Sequence, residues 1–576
     1  MGALVEHVIF GLLMVANLGL GLYFSFAKKS AVTTSDEVFL GSRKLRMLPL
    51  AMSVLASMLS AVGIVGATAH FYAYGLRYHW SIGSKLLVMP FVMYVVVPVF
   101  YKLKLTSIFE YLRMRYGNRT GLVICFFYMF LSQTVGAAAI FSASVAVATV
   151  FSFPIVWTSV AIGVMATIYT ALGGLRAVVW TDCVQALVVL MAPITVVGKV
   201  IYDSYNTEVR LRPFKEMNIK DYIWEYALLD DENVWAYLIG LTASALYREG
   251  LDQMVVQRYL AARSLKEAQR TALTGASLNI AYILFMCLMS MSLIYWFRDC
   301  DPLLSGSITN IDQILPFYVQ KYLRSVPSFT AFFLAGIVSA SLSTVSSLIN
   351  SQTAVCFVDA LSPFFTISTR HTNLITKGLA FMFGLVMTAY GIAVPYMGTV
   401  TRVRIMLQLL RSTEIVGIFR EVTVKPIDLF FQGMVCAATL VASLQIWQTA
   451  GKFYHGVNPP RMPVSIRYCS INDTHMSDIS DIPSSQFETL DNLFILYRLS
   501  TYWTSLLCCV LTVSLGLLLS FATGGHKEHK TNWRLTSEIF LKLWTKLKLL
   551  PKNSCSESES NGHLLKGPLD INSIIM

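Results

Sequence analysis

The sequence predicts an all-α polytopic membrane protein with about 13 transmembrane helices, and three observations carry that prediction. Of its 576 residues, 55% are apolar and only 14% charged, against roughly 25% charged in a soluble domain. Seven stretches contain no Asp, Glu, Lys or Arg at all: 8–27, 47–76, 120–175, 271–297, 325–358, 378–401 and 499–526. Crossing a bilayer takes about 20 such residues as a helix. The connecting segments, in turn, divide by charge into basic and acidic loops. Soluble-enzyme readings are excluded, and the net charge of +12 marks basic loops at a membrane face rather than a nucleic-acid partner.

Taken in order, eleven spans are expected near 8–27, 47–76, 80–101, 120–144, 153–173, 180–202, 271–297, 329–358, 376–399, 431–450 and 499–523. The run 120–175 must be two helices, because Ser152-Phe153-Pro154 breaks it. Two segments are ambiguous by composition. Residues 233–247 are short and end against Arg248 and Glu249, and 401–431 carry eight charges, including Arg402, Arg404, Arg411 and Glu414.

Loop charge decides both. Lys28, Lys29, Arg43, Lys44 and Arg46 follow the first span. Lys102, Lys104, Arg113, Arg115 and Arg119 follow the third, and Arg258, Arg263, Lys266 and Arg270 precede residue 271. Placing all three clusters in the cytoplasm requires an extracellular N-terminus and a crossing at 233–247. The loop 203–232 then lies outside, and it is acidic, with eight Asp/Glu against four Lys/Arg. Asn472-Asp473-Thr474 is a glycosylation sequon in the polar loop 451–498, and the tail from Lys527 is basic. An outside sequon and an inside tail both hold if 401–431 crosses. Asn118 heads a second sequon, but in a basic loop, and is not expected to carry a glycan.

Most of the ten cysteines, such as Cys125, Cys287, Cys356, Cys436, Cys508 and Cys509, sit in apolar runs and read as packing residues rather than a disulfide framework. No secretory signal peptide is evident. The chain has no His-Glu pair at helical spacing, no Gly-x-Ser-x-Gly elbow and no Gly-Lys-Ser/Thr phosphate loop. No enzyme activity and no cofactor are expected.

Two segments read as interrupted helices: the second span, with Gly63 and Gly66 at its middle, and the short 233–247 segment. Paired broken helices mark a midplane site where freed backbone groups meet substrate and ion, although such glycines also permit simple close packing. In the ninth span, Ser339, Ser343, Ser346 and Asn350 recur at helical spacing on one face. Hard cations such as Na⁺ take oxygen ligands of this kind. Alternatively, each hydroxyl bonds back to its own helix or across to a neighbour.

With these residues in hand, the chain resembles the sodium/solute symporter family along nearly its whole length. The matching segments are 343–350 (Ser-Thr-Val-Ser-Ser-Leu-Ile-Asn), 170–182 (Thr-Ala-Leu-Gly-Gly-Leu-Arg-Ala-Val-Val-Trp-Thr-Asp), 256–259 (Val-Gln-Arg-Tyr), 298–303 (Arg-Asp-Cys-Asp-Pro-Leu) and 105–116. They are most similar to the branch of sodium-dependent multivitamin, sodium/iodide and sodium-coupled monocarboxylate transporters. The resemblance implies a leucine-transporter-like fold with inverted five-helix repeats. The chain then divides into 1–46 (first span and cytoplasmic loop), 47–202 (first repeat), 203–232 (extracellular loop), 233–431 (second repeat), 432–523 (last two spans) and 524–576 (cytoplasmic tail).

The same resemblance implies a sodium site between the second and ninth spans. Ser343 and Thr344 would contribute hydroxyls, with backbone carbonyls near Ala340, Ser60 and Gly63. It places substrate beside the break in the second span, against Val62, Gly63, Gly66 and Ser339. The function implied is Na⁺-coupled symport of a small organic anion across the plasma membrane. Lipid is the only other expected partner, and the oligomeric state is not legible. Three departures leave alternatives open. Gly63 stands where iodide carriers have glutamine, Arg248-Glu249-Gly250-Leu251-Asp252-Gln253 replaces a neutral turn, and 401–431 replaces an apolar helix. A transport-inactive member with a sensing role and an iodide-type carrier are the competing readings.

Overall fold

The computed structural model describes residues 2–26, 35–116, 118–205, 223–226, 232–323, 328–365, 368–394, 431–455, 461–462, 464–466, 469, 494–522 and 536–547. The charged segment 401–431, but for its last residue Phe431, and the sequon at Asn472 lie outside them. Every regular element among the described residues is helical, apart from a single bridge between Leu45 and Ala262. The main helices are α1 (Gly2–Phe26), α2 (Met47–Met58), α3 (Ala61–Tyr74), α4 (Leu76–Lys102), α5 (Asn118–Phe151), α6 (Ile155–Val189) and α7 (Met191–Tyr205). Then follow α8 (236–251), α9 (Gln253–Leu260), α10 (Leu265–Phe297), α11 (Phe329–Val355), α12 (Thr369–Ala393), α13 (Phe431–Tyr454), α14 (Thr501–Ala522) and α15 (Glu538–Lys546).

Seven helical segments are long and apolar enough to cross a bilayer, and α2 with α3 forms an eighth as a pair bent by 58°. The continuous stretch Ile155–Tyr205 is 51 residues, about 75 Å at 1.5 Å per residue. That is more than twice a hydrocarbon core of about 30 Å, so it holds two crossings. The turn between them is Gly174, at φ 59°. A Cβ there would meet the Val38 carbonyl at 3.0 Å, so both the dihedral and the contact require glycine. This is the multi-pass helical architecture expected from the sequence, although the described residues do not fix a count of thirteen.

The expected break in the second span is present. Leu59 and Ser60 are extended (ψ 113° and 157°), and the Ser60 hydroxyl accepts the Gly63 amide at 3.1 Å as the N-cap of α3. The matching break within 233–247 is absent. The φ/ψ of α8 stay helical and its distortion is two wide π-turns, Ala236–Gly240 and Tyr247–Leu251, closed by Leu241 N to Ala236 O and Asp252 N to Tyr247 O. Extended backbone comes only at Asp252, which caps α9. Both wide turns are closed by backbone bonds within the helix, so the segment has no extended interruption like that at Leu59 and Ser60.

At the centre stands α11, buried along its length against α1, α2, α5 and α6. Its start is held by α1: both Glu6 carboxylate oxygens accept amides, from Ser328 at 3.0 Å and Ala331 at 2.9 Å, where the helix dipole favours an anion. The core falls into two apolar clusters that meet near Val54 and Leu55 on α2.

One disulfide joins Cys300 to Cys469, a bridge missing from the sequence reading, while Cys125, Cys287, Cys356, Cys508 and Cys509 are free as expected. Both bridged cysteines lie in polar segments, outside the apolar runs that set the expectation. Met462 N also bonds Ala73 O at 2.7 Å and Ser465 N bonds Arg298 O at 2.9 Å. Met462, Ser465 and Cys469 therefore sit at the face where α3 and α10 end.

Candidate functional site

Interrupting the helix between α2 and α3 removes the amides that carbonyls 56 to 59 would have met. Side chains from two other helices take three of them. The Ser343 hydroxyl donates to Ala56 O at 2.9 Å, the Thr344 hydroxyl to Leu59 O at 3.0 Å, and Arg248 Nη2 to Ser57 O at 3.2 Å. Ser343 and Thr344 also reach Ala340 O, at 3.1 and 3.0 Å, and both side chains are fully buried. Five oxygens thus converge between the break and α11: carbonyls of Ala56, Leu59 and Ala340 and hydroxyls of Ser343 and Thr344. The carbonyls the hydroxyls meet are those before the break. Of the carbonyls near Ser60 and Gly63 expected to complete the set, that of Ser60 accepts the Ile64 amide at 3.1 Å.

The hydroxyl stripe of α11 does not serve one face. Ser339 accepts from Asn17 of α1 at 3.4 Å, Ser341 donates to Ala139 O of α5, Ser346 bonds back to Ser343 O, and Asn350 donates to Gln257 of α9. Ser339 is therefore turned toward α1, away from the break. Val62 packs with Leu131, Ala138 and Tyr390. A Cβ on Gly66 would meet nothing within 4 Å among the described residues, and one on Gly63 only Ser60 Oγ at 3.7 Å. Among the described residues nothing packs closely against these glycines, and the space beside the break is open.

Two charged networks flank the oxygens, and the sequence reading assigned neither to the site. Arg258 of α9 is fully buried. Its Nη2 meets Asp182 Oδ2 at 3.0 Å and Ser347 Oγ at 2.5 Å, and its Nε meets Ser53 Oγ at 2.7 Å. Ser57 and Ser347 are 2.9 Å apart. The network ties α2, α6, α9 and α11 together just past Ser343. The signal was available: Asp182 is an isolated acid in an apolar stretch, and intramembrane charges need a partner.

The second network holds the residues 248–252. Arg248 Nη1 pairs with Asp252 at 2.5 Å. Fully buried Glu249 takes Lys85 Nζ of α4 at 3.1 Å, and Lys85 also meets Asn279 of α10 at 3.1 Å. The charges that set this turn apart in the sequence are thus compensated inside the bundle.

The profile of the Sodium:solute symporter family matches residues 38–426. The chain is 29% identical over 532 residues to the sodium-coupled monocarboxylate transporter 2 of Mus musculus, covering 90% of this chain and 84% of that protein. It is 27% identical over 535 residues to the putative sodium-dependent multivitamin transporter of Drosophila melanogaster, covering 90% and 86%. The structure of a Na⁺-coupled sialic acid symporter, substrate-bound and outward-open, superposes with a TM-score of 0.70 at 19% identity, over 91% of this chain and 99% of that one. That likeness establishes a shared fold.

Proposed function

Because the chain belongs to the sodium:solute symporter family, we propose that it carries a small organic anion into the cell with Na⁺ by alternating access. One observation supports this most: five uncharged oxygens gathered at a helix break, the donor set that Na⁺ takes. In this reading the ion lies between Ala56, Leu59, Ala340, Ser343 and Thr344, and the hydroxyl lone pairs turn to it when it enters. Substrate occupies the open side of α3 at Val62, Gly63 and Gly66. Relatives named for monocarboxylates and multivitamins support a carboxylate substrate, and Gly63 leaves no side chain with which to hold iodide. The membrane is the plasma membrane, with the N-terminus outside, the tail inside and Asn472 in the outer loop.

The energetics are sufficient. One Na⁺ entering down about 60 mV gains about 1.4 kcal/mol, and a tenfold Na⁺ gradient adds about 1.4 more. Together they support about 100-fold accumulation of an uncharged solute, and a second Na⁺ would offset the charge of a monoanion. The test is uptake of labelled lactate, pantothenate, biotin and iodide with Na⁺ or choline outside. Na⁺-dependent uptake of at least one organic acid is expected. Uptake of iodide alone, or none that responds to Na⁺, overturns the reading.

A further inference from the structure

A cavity of about 730 Å³ lies where α1 ends, away from the helix break. Three charged side chains line it from three different elements. Arg176 follows the Gly174 turn of α6, Lys377 is in the first turns of α12, and Glu37 is on the short helix Ser35–Leu40. None of the three has a hydrogen-bond or ion-pair partner among the described residues, and Lys377 and Glu37 are half-buried. A charge run is usually just a solvated face, but these charges share a concave wall with aromatics. Tyr23 and Phe24 of α1 and Trp180 of α6 line it, with Phe24 and Trp180 stacked at 5.8 Å. Tyr23 and Trp180 remain 65% and 40% exposed, the amphipathic rings found where a bilayer meets water.

The end of the bundle is also fixed. The short helix carrying Glu37 leads into Arg43, whose guanidinium bonds the Lys104 and Leu105 carbonyls at 2.7 and 3.0 Å. The cavity therefore opens among the basic loops. Basic pockets between spans at a cytoplasmic face take lipid headgroups. Here the charge pattern narrows the class: two cations and one carboxylate, held apart.

We propose that this cavity holds the headgroup of an acidic aminophospholipid of the phosphatidylserine class. Arg176 and Lys377 receive its phosphate and carboxylate, and Glu37 receives its ammonium. Phosphatidylglycerol matches one cation and leaves Glu37 facing no cation. Phosphatidylethanolamine leaves one cation without an anion, and the quaternary ammonium of phosphatidylcholine cannot donate to Glu37. Soluble glycerophosphoserine carries the same three groups, so the lipid source is tested separately. The inference rests on the membrane placement and not on the transport reading.

The full-length protein, purified in phosphatidylcholine nanodiscs doped equally with phosphatidylserine, phosphatidylglycerol and phosphatidylethanolamine, is assayed for co-purifying lipid. Enrichment of phosphatidylserine over phosphatidylglycerol is expected in the native protein. Lys377→Gln and Arg176→Gln should each lower it about fivefold, as for one basic residue at an anionic surface. Glu37→Gln should retain acidic lipid but lose the distinction between phosphatidylserine and phosphatidylglycerol, an outcome that misfolding would not produce. Native protein without that enrichment, or Glu37→Gln with unchanged selectivity, overturns the proposal. Displacement by glycerophosphoserine at the lipid's own concentration also overturns it, by making the occupant a soluble one.

Discussion

The two helices read from the sequence as interrupted solve the same problem in opposite ways. Between α2 and α3 two extended residues bend the chain by 58°, and the freed carbonyls of Ala56, Ser57 and Leu59 find partners on α8 and α11. Helix α8 widens into π-turns, keeps its backbone bonded to itself, and concentrates its polarity in side chains. Backbone oxygens at the first helix suit a cation that must enter and leave, because they bring no net charge. Paired side-chain charges at the second suit a fixed strut: Arg248 with Asp252, and Glu249 with Lys85. In the proposed reading, ions exchange at the break, and α8 is the fixed element beside it.

Removing the hydroxyls at the break should have the largest effect. Ser343→Ala with Thr344→Ala leaves Na⁺ two oxygens short in a dry site, a costly desolvation. Na⁺-dependent uptake is expected to fall to background while surface expression stays near normal. Retained Na⁺ dependence would reduce these hydroxyls to packing groups. On α8 the expected loss is one of stability. Lys85→Met leaves fully buried Glu249 without its cation, and breaking a buried pair from one side costs about 3–5 kcal/mol. Adding Glu249→Leu should recover most of that in thermal melts. If the double variant is no better than the single, the pair is not a strut.

Glycines sharpen the contrast on a smaller scale. A Cβ on Gly250 in α8 would lie 2.8 Å from Val92 Cγ2, whereas one on Gly66 in α3 meets nothing within 4 Å. Gly250→Ala should therefore destabilise by about 1–3 kcal/mol through overpacking. Gly66→Ala should stabilise slightly, by up to about 1 kcal/mol, because alanine favours helix, while narrowing the open side of α3 and lowering substrate uptake. Equal melting shifts at the two positions would contradict the packing described here.

Much of this was legible in the sequence, for a physical reason. Burial in lipid forces long uncharged runs, so the spans and the turn at 152–154 could be read directly, and Gly63 with Gly66 marked an interruption inside a span. The hydroxyls of Ser343 and Thr344 and the Ala340 carbonyl they meet were singled out, but not the carbonyls of Ala56 and Leu59. Every residue has a carbonyl, and which ones face a neighbour depends on a bend angle that no residue type encodes. The hydroxyl stripe misled for a related reason: periodicity gives a face, but helices pack around α11 on every side, so Ser339 meets α1 while Ser343 meets α2. For 233–247, shortness suggested a break, yet a π-turn leaves the same signature without freeing backbone groups. The Arg258–Asp182 pair was hidden, because Asp182 stood as an isolated acid and Arg258, 76 residues away, read as part of a cytoplasmic basic cluster rather than as a buried partner.

The end of α3 and the start of α8 meet through a charged contact, and this gives the smallest predicted effect. His70 of α3 lies 3.1 Å from Glu232 and 3.2 Å from the Tyr237 hydroxyl of α8, and Tyr237 donates to the same Glu232 oxygen. Tyr74, Tyr78 and Tyr502 surround the imidazole, and Arg77 acts on Glu232 from α4. Burial pushes the Glu232 carboxyl up, but His70 and Tyr237 outweigh it, so its pKa lies below the ordinary glutamate value. A carboxyl depressed on folding stabilises above its unfolded pKa, and that contribution is lost as pH falls through the lowered value. The Glu232 contribution should therefore be fully present above the ordinary glutamate pKa of about 4.3 and be lost as pH falls below it. Glu232→Gln should lower stability by about 1 kcal/mol at pH 7 and remove this acid-side decline from thermal melts taken between pH 7 and 3.5. A decline of the same size in the variant would mean that other carboxylates set it, and that α3 and α8 are joined at this end by the aromatic rings alone.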